Sequence, residues 1–213
     1  MRPQKHQIGF MRAVALAACF FALIAAWSFS SKAQTRPPTA PTWSPSGQLE
    51  RPADYREWVY LTSGLGMTYG PAQVAAGQHQ MFDNVFVTPD AYREFLKSGT
   101  WPDKTMFILE MRDAQTNVSI NNGGRTQGSV MAIEASVKDR ARFPNGGWAY
   151  FSFDGPQGLV TSTAPLPTTA QCYSCHTTNT AVDNTFVQFY PTLFEVAKRL
   201  GTIKATYDPT HKP

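Results

Sequence analysis

Short runs in which apolar and polar positions alternate dominate the middle of this chain, and helical spacing appears only around them. Phe82-Asp83-Asn84-Val85-Phe86-Val87 is rich in aromatic and β-branched residues and reads as a strand beginning at Met81. Thr88-Pro89 then supplies a cap and a proline at the first helical position. The helix over 89–98 places Tyr92, Phe95 and Leu96 on one face and Arg93 and Lys97 toward solvent, and Gly99 stops it. Trp101-Pro102-Asp103-Lys104 turns into a strand from Thr105 to Arg112. Residues 113–127 hold Asn121-Asn122-Gly123-Gly124 and read as a hairpin loop with a short strand from Val118 to Ile120.

Ser129 to Val137 is apolar on both faces. Pro144-Asn145-Gly146-Gly147 marks a second turn, and Trp148-Ala149-Tyr150-Phe151-Ser152-Phe153 is the next strand, closed by Asp154-Gly155-Pro156. Four strands joined mainly by tight turns predict an antiparallel sheet. A closing helix from Pro191 to Leu200 carries Leu193, Val196, Ala197 and Leu200 at i, i+3, i+4 and i+7. Ahead of the sheet, Tyr55 to Leu61 reads as a short helix. Ser63-Gly64-Leu65-Gly66 and Gly70-Pro71 break the chain into a loop covering the core.

The start of the chain has a different character. Arg2, Lys5 and Arg12 precede an apolar run from Ala13 to Trp27, and Ser31-Lys32-Ala33 is a cleavage site, so residues 1–33 read as a signal peptide for export to the periplasm. The apolar run is shorter than the roughly 20 residues a membrane span needs. Leu16-Ala17-Ala18-Cys19 resembles a lipoprotein box, but the apolar run continues well past Cys19. The 19 basic residues less the four in this leader leave 15, against 15 acidic residues. A neutral mature chain gives no reason to expect a nucleic acid or an anionic membrane as partner. Residues 34–53 are rich in Pro, Ser and Thr and read as a flexible N-terminal arm, and residues 54–213 form one domain with its own core.

Chemistry concentrates in Cys172-Tyr173-Ser174-Cys175-His176. C-x-x-C-H is the attachment signature of a c-type haem. Two thiols one helical turn apart can each add to a porphyrin vinyl group, and the next residue carries an imidazole to the iron as axial ligand. A zinc site would need a second pair of ligands, yet the mature chain otherwise holds only His79 and His211, and both of its cysteines lie in this motif. A thioredoxin-like dithiol would sit early, in a βαβ unit, rather than after a Pro/Thr-rich loop that leads into a short helix with Thr168 or Thr169 as its cap. The fold class expected is α+β, an antiparallel β-sheet packed against a c-type haem with C-terminal helices. One covalent haem c is expected per chain.

These residues carry a resemblance. Phe82 to Val87, Gly99-Thr100-Trp101-Pro102-Asp103-Lys104-Thr105, Val137-Lys138-Asp139 with Phe143, Gly147-Trp148-Ala149-Tyr150-Phe151, the haem motif and Gln188-Phe189-Tyr190-Pro191 together resemble the cytochrome P-460 family, which includes the cytochromes c′-beta. The resemblance implies a periplasmic homodimer with His176 as proximal ligand and an open distal face. P-460 members carry a lysine bonded to the porphyrin edge and oxidise hydroxylamine, passing electrons to an external acceptor. The c′-beta members lack that bond and bind nitric oxide or similar diatomic gases.

Lys104 is the candidate for the crosslink, because relatives without the bond have glycine in this turn. Glu110 and Glu134, the carboxylates within strands, are candidates for moving the protons of hydroxylamine as well as for structural hydrogen bonding. Phe82 and Phe86 share a strand face and are candidates for an apolar distal cap. A third reading is a six-coordinate electron carrier, in which His79, Met67, Met81, Met106, Met111 or Met131 supplies the second axial ligand.

Overall fold

The structure is a computed structural model that describes residues 40–68 and 80–210. These residues all belong to one compact unit. Residues 1–33, read as a signal peptide, and with them Cys19, as well as His79 and His211, lie outside the described residues.

Five strands form one antiparallel sheet in sequence order: β2 (Val59–Leu65), β3 (Met81–Val87), β4 (Met106–Gln115), β5 (Thr126–Lys138) and β6 (Trp148–Ser152). The alternation that predicted the strands also sorts their side chains. Ile108, Ile133, Ala135, Val137, Ala149 and Phe151 pack on one face with Leu49, Tyr55 and Trp58. Val87, Phe107, Trp148 and Tyr150 pack on the other face with the helices. Those helices are α1 (Pro89–Ser98), α2 (Gln171–Asn179) and α3 (Pro191–Leu200). Each fully buried aliphatic or aromatic side chain in these layers contributes about 1.5–3 kcal/mol.

The helix ends follow the sequence closely. Pro89 and Pro191 open α1 and α3, and Gly99 and Gly201 close them in the left-handed conformation at φ 70° and 67°. The haem-motif helix α2 is capped at Ala170 without a side-chain bond, so neither Thr168 nor Thr169 does that work.

Two expectations at the start of the domain need correction. Residues 55–57 make only a single 3₁₀ turn, and residues 59–65, read as the end of the short helix and the start of a covering loop, form strand β2, paired along β3 with a register shift between Tyr60 and Thr62. Gly70 and Pro71 lie outside the described residues. Gly64 and Ser63 looked like breakers, but an edge strand with a bulge tolerates them. The arm is also anchored: β1 (Leu49–Glu50) pairs with β9 (Ser162–Thr163), Leu49 is fully buried, and the Trp43 ring packs on Phe143 and Phe151 under the Arg142 guanidinium. Between these, the short strands β7 (Asp154–Gly155) and β8 (Gly158–Leu159) form a hairpin. No strand forms at 118–120, where Ile120 is almost wholly exposed.

Candidate functional site

A cavity of about 580 Å³ opens between the helix-bearing face of the sheet and α2. The register explains its sheet wall. Val85 stands opposite Leu109 and Leu109 opposite Glu134, while Asp83 stands opposite Met111, so these five side chains share one face of three adjacent strands and all line the cavity. The facing wall is made by Cys172, Cys175, His176, Phe186, Phe189 and Tyr190.

Cys172 and Cys175 are one turn apart on α2, so they share a helix face, and both thiols are free. The Cys175 sulfur accepts a hydrogen bond from Asn179 Nδ2 at 3.5 Å. Burial pushes the Cys172 thiol's pKa up. His176 sits between two rings, with the Tyr150 centroid at 4.4 Å and that of Phe186 at 4.7 Å.

The Nδ1 of His176 lies 2.8 Å from the Asn184 carbonyl oxygen, to which it donates when it carries the proton. That tautomer leaves Nε2 as the lone-pair nitrogen, which is the arrangement an iron-ligating imidazole needs. Burial holds the pKa of His176 below its ordinary value and so favours the neutral ring.

The carbonyl that orients His176 is itself held in place. Asp183 and Asn184 both adopt left-handed backbone conformations, at φ 45° and 58°. Asp183 is bonded by the fully buried Lys138 ammonium and by Trp148 Nε1 at 3.4 Å, and Lys138 also donates to the Trp101 carbonyl at 2.7 Å. Trp101 Nε1 in turn donates to Thr185 Oγ1 at 2.7 Å. Lys138 belongs to a motif that the sequence singled out without a role, and its role here is to brace the 183–185 loop.

The cavity fits a haem in more than size. Its walls are largely aliphatic and aromatic. Among the described residues, the Tyr150 hydroxyl, which lines it, is buried without a hydrogen-bond partner, and burial pushes its pKa far up. An orphaned hydroxyl beside two free thiols and an imidazole with Nε2 uncommitted marks a space shaped for a group with polar edges. Cys172, Cys175 and His176 are the residues that would hold it.

Other sequence candidates divide. Glu134 lines the cavity, and burial, with the charges of Asp154 and Asp83, raises its pKa. Glu110 lies on the opposite sheet face, bonded by Tyr55, Arg56 and Arg112. Burial pushes its pKa up, but those bonds outweigh it and hold the carboxyl below its usual range. Glu110 is therefore structural. Phe86 also faces away, against Tyr55 and Tyr60, and Phe82 follows the same alternation, so neither caps the cavity. Of the methionines, Met67 and Met111 line the cavity, whereas Met106 is buried on the far face and Met131 is exposed.

Lys104 does not line the cavity. Its ammonium pairs with the buried carboxylate of Asp139 at 2.5 Å, and its side chain is 46% exposed, so the burial beside a macrocycle that the crosslinking chemistry would use is missing. The turn explains the residue's place in the pattern. Lys104 has φ 66°, a conformation that glycine adopts at no cost, so a glycine in this turn reflects backbone geometry rather than the presence or absence of a crosslink. Among the described residues, no lysine lines the cavity.

The alternation in Phe82 to Val87 already placed Asp83 with Val85 and Val87, a carboxylate on an otherwise apolar face, and that was the signal for a second acidic group in the site. No helix among the described residues is long and apolar enough to cross a membrane. No curated protein matches the chain. The Cytochrome P460 family model matches residues 52–187, which take in the whole five-stranded sheet, the haem-motif helix and the loop that orients His176. The chain belongs to the cytochrome P460 family, and with it to cytochromes that carry haem.

Proposed function

We propose that this chain is a mono-haem c-type cytochrome, with the haem bonded through Cys172 and Cys175 and its iron held by His176, that binds nitric oxide or a similar small neutral molecule. When bound, the haem would supply an iron able to take a small ligand and a path for electrons to an external acceptor, with Cys172, Cys175 and His176 as the residues that would hold it. The observation that carries the reading is the lining of the cavity: an imidazole on one wall, Val85, Leu109 and Met111 on the other, and no lysine among the described lining residues to modify the ring. Apolar walls favour a small neutral ligand over a hydrated one. Export to the periplasm, supported by the leader, and a homodimer, supported by the family resemblance, complete the proposal.

Hydroxylamine oxidation stays as the second reading because of Glu134. A carboxylate in the cavity with a raised pKa is suited to accept protons from a nitrogen substrate as electrons leave.

Anaerobic titration of the reduced protein with nitric oxide, beside a turnover assay with hydroxylamine and an artificial acceptor, separates the two readings. The gas-binding proposal predicts saturable binding and no more than trace turnover. It also predicts that Lys104→Ala leaves the absorption spectrum unchanged. Turnover that falls about a hundredfold in Glu134→Gln would favour the enzyme, and loss of a red-shifted band in Lys104→Ala would restore the crosslink.

A further inference from the structure

Asp83 is a carboxylate that the apolar wall does not need. It is 7% exposed, lines the cavity from β3, and has no hydrogen-bond or ion-pair partner among the described residues. Such a group is costly to bury charged and is found where something must be recognised or repelled. Glu134 joins it from β5, on the same face of the sheet.

Among the described residues, the cavity lining around the pair holds no lysine or arginine. Thr62, Ser63 and Gly64 face the cavity from β2, Leu109 and Met111 from β4, and Tyr150 from β6. From the facing wall, the ionisable lining residues are Cys172, Cys175, His176 and Tyr190. Arg112, which stands opposite Phe82 on β4, is turned to the other face and bonded to Glu110 and the Gly128 carbonyl.

We propose that Asp83, together with Glu134, makes the ligand side of the cavity a charge filter, admitting neutral and protonated small molecules and excluding small anions while the carboxylates are ionised. The inference rests on the reading that haem occupies the cavity with His176 on its iron, which leaves the sheet wall to face an incoming ligand. Burial raises the pKa of Asp83 to about 6. The filter is therefore open to anions below that pH, where Asp83 is protonated, and closes as pH rises through it. One fixed charge within a few ångströms of a bound anion, in surroundings of low effective dielectric, changes affinity by about tenfold or more.

The test uses the haem-loaded, full-length protein. Fluoride and azide are titrated into the oxidised form and carbon monoxide into the reduced form, between pH 5 and pH 7.5, in wild type, Asp83→Asn, Asp83→Glu and Glu134→Gln. Anion affinities are corrected for protonation of the anion itself. Wild type is expected to bind fluoride and azide about tenfold more weakly at the upper pH than at the lower. Asp83→Asn should gain that factor at the upper pH and lose most of the pH dependence. Asp83→Glu should keep the filter, and carbon monoxide binding in each variant reports whether its haem site is intact.

Anion affinity in Asp83→Asn that stays within about twofold of wild type at the upper pH, with carbon monoxide binding intact, overturns the filter and leaves the haem reading standing. A wild type that binds no carbon monoxide overturns the haem reading and the filter with it. Should the Asp83 variants fail to fold, Glu134→Gln carries the same comparison, and an unchanged anion affinity there contradicts the proposal.

Discussion

A His176→Gly variant is expected to keep its haem through the two cysteines while losing the wild-type absorption spectrum, and added imidazole should restore that spectrum. The reason lies in how the imidazole is held. Its ring is flanked by Tyr150 and Phe186, and its Nδ1 faces the Asn184 carbonyl at 2.8 Å. Glycine removes the ring but neither the flanking walls nor the acceptor, so a free imidazole meets the same contacts and presents its other nitrogen as His176 does. Cys172 and Cys175, the proposed thioether positions on α2, are separate residues, so haem retention is not expected to depend on the ligand. An unchanged spectrum in the variant would mean that another residue ligates the iron, and Met67 and Met111 are then the candidates within the cavity.

Lys138→Met should cost about 1–3 kcal/mol of stability in urea unfolding, because it leaves the partly exposed Asp183 carboxylate and the Trp101 carbonyl without their shared donor. Lys138 is 2% exposed, and its ammonium holds the Asp183 carboxylate and the Trp101 carbonyl together. Methionine fills the space of the stem but supplies no donor, so Asp183 keeps only its bond from Trp148. The loop that places the Asn184 carbonyl under His176 then loses its brace. The same variant should therefore also change the vibrational frequency of the bond between iron and histidine, which a purely structural lysine would leave alone. A loss below about 1 kcal/mol, typical of exposed pairs, would show that the network contributes little.

Much of the fold was legible because its strands alternate cleanly and its helices carry their own stops. Pro89, Gly99, Pro191 and Gly201 mark ends that the structure keeps. Strand β2 was not legible, since Ser63 and Gly64 read as breakers and only pairing with β3 over a bulge makes the segment a strand. Leu49 and Trp43 were hidden in a stretch whose composition is that of a linker, and their burial depends on β9 and Phe151, which lie more than a hundred residues away.

Within the site, Cys172, Cys175 and His176 declared themselves by local spacing alone. The partners of His176 did not, because a backbone carbonyl has no residue type to read. Glu110 and Glu134 looked alike in sequence. They face opposite sides because their strand positions differ in phase relative to the cavity, which only the registry of β4 against β5 reveals. The glycine expected in place of Lys104 answers to a left-handed turn, a backbone demand that residue type alone does not show.

Intact mass of the mature protein, taken under denaturing conditions, tests the central claim most directly. The account predicts the polypeptide mass plus one haem, with the addition lost when Cys172 and Cys175 are both changed to alanine. A wild-type mass equal to the bare polypeptide, or one that keeps the added haem in the double variant, would contradict it.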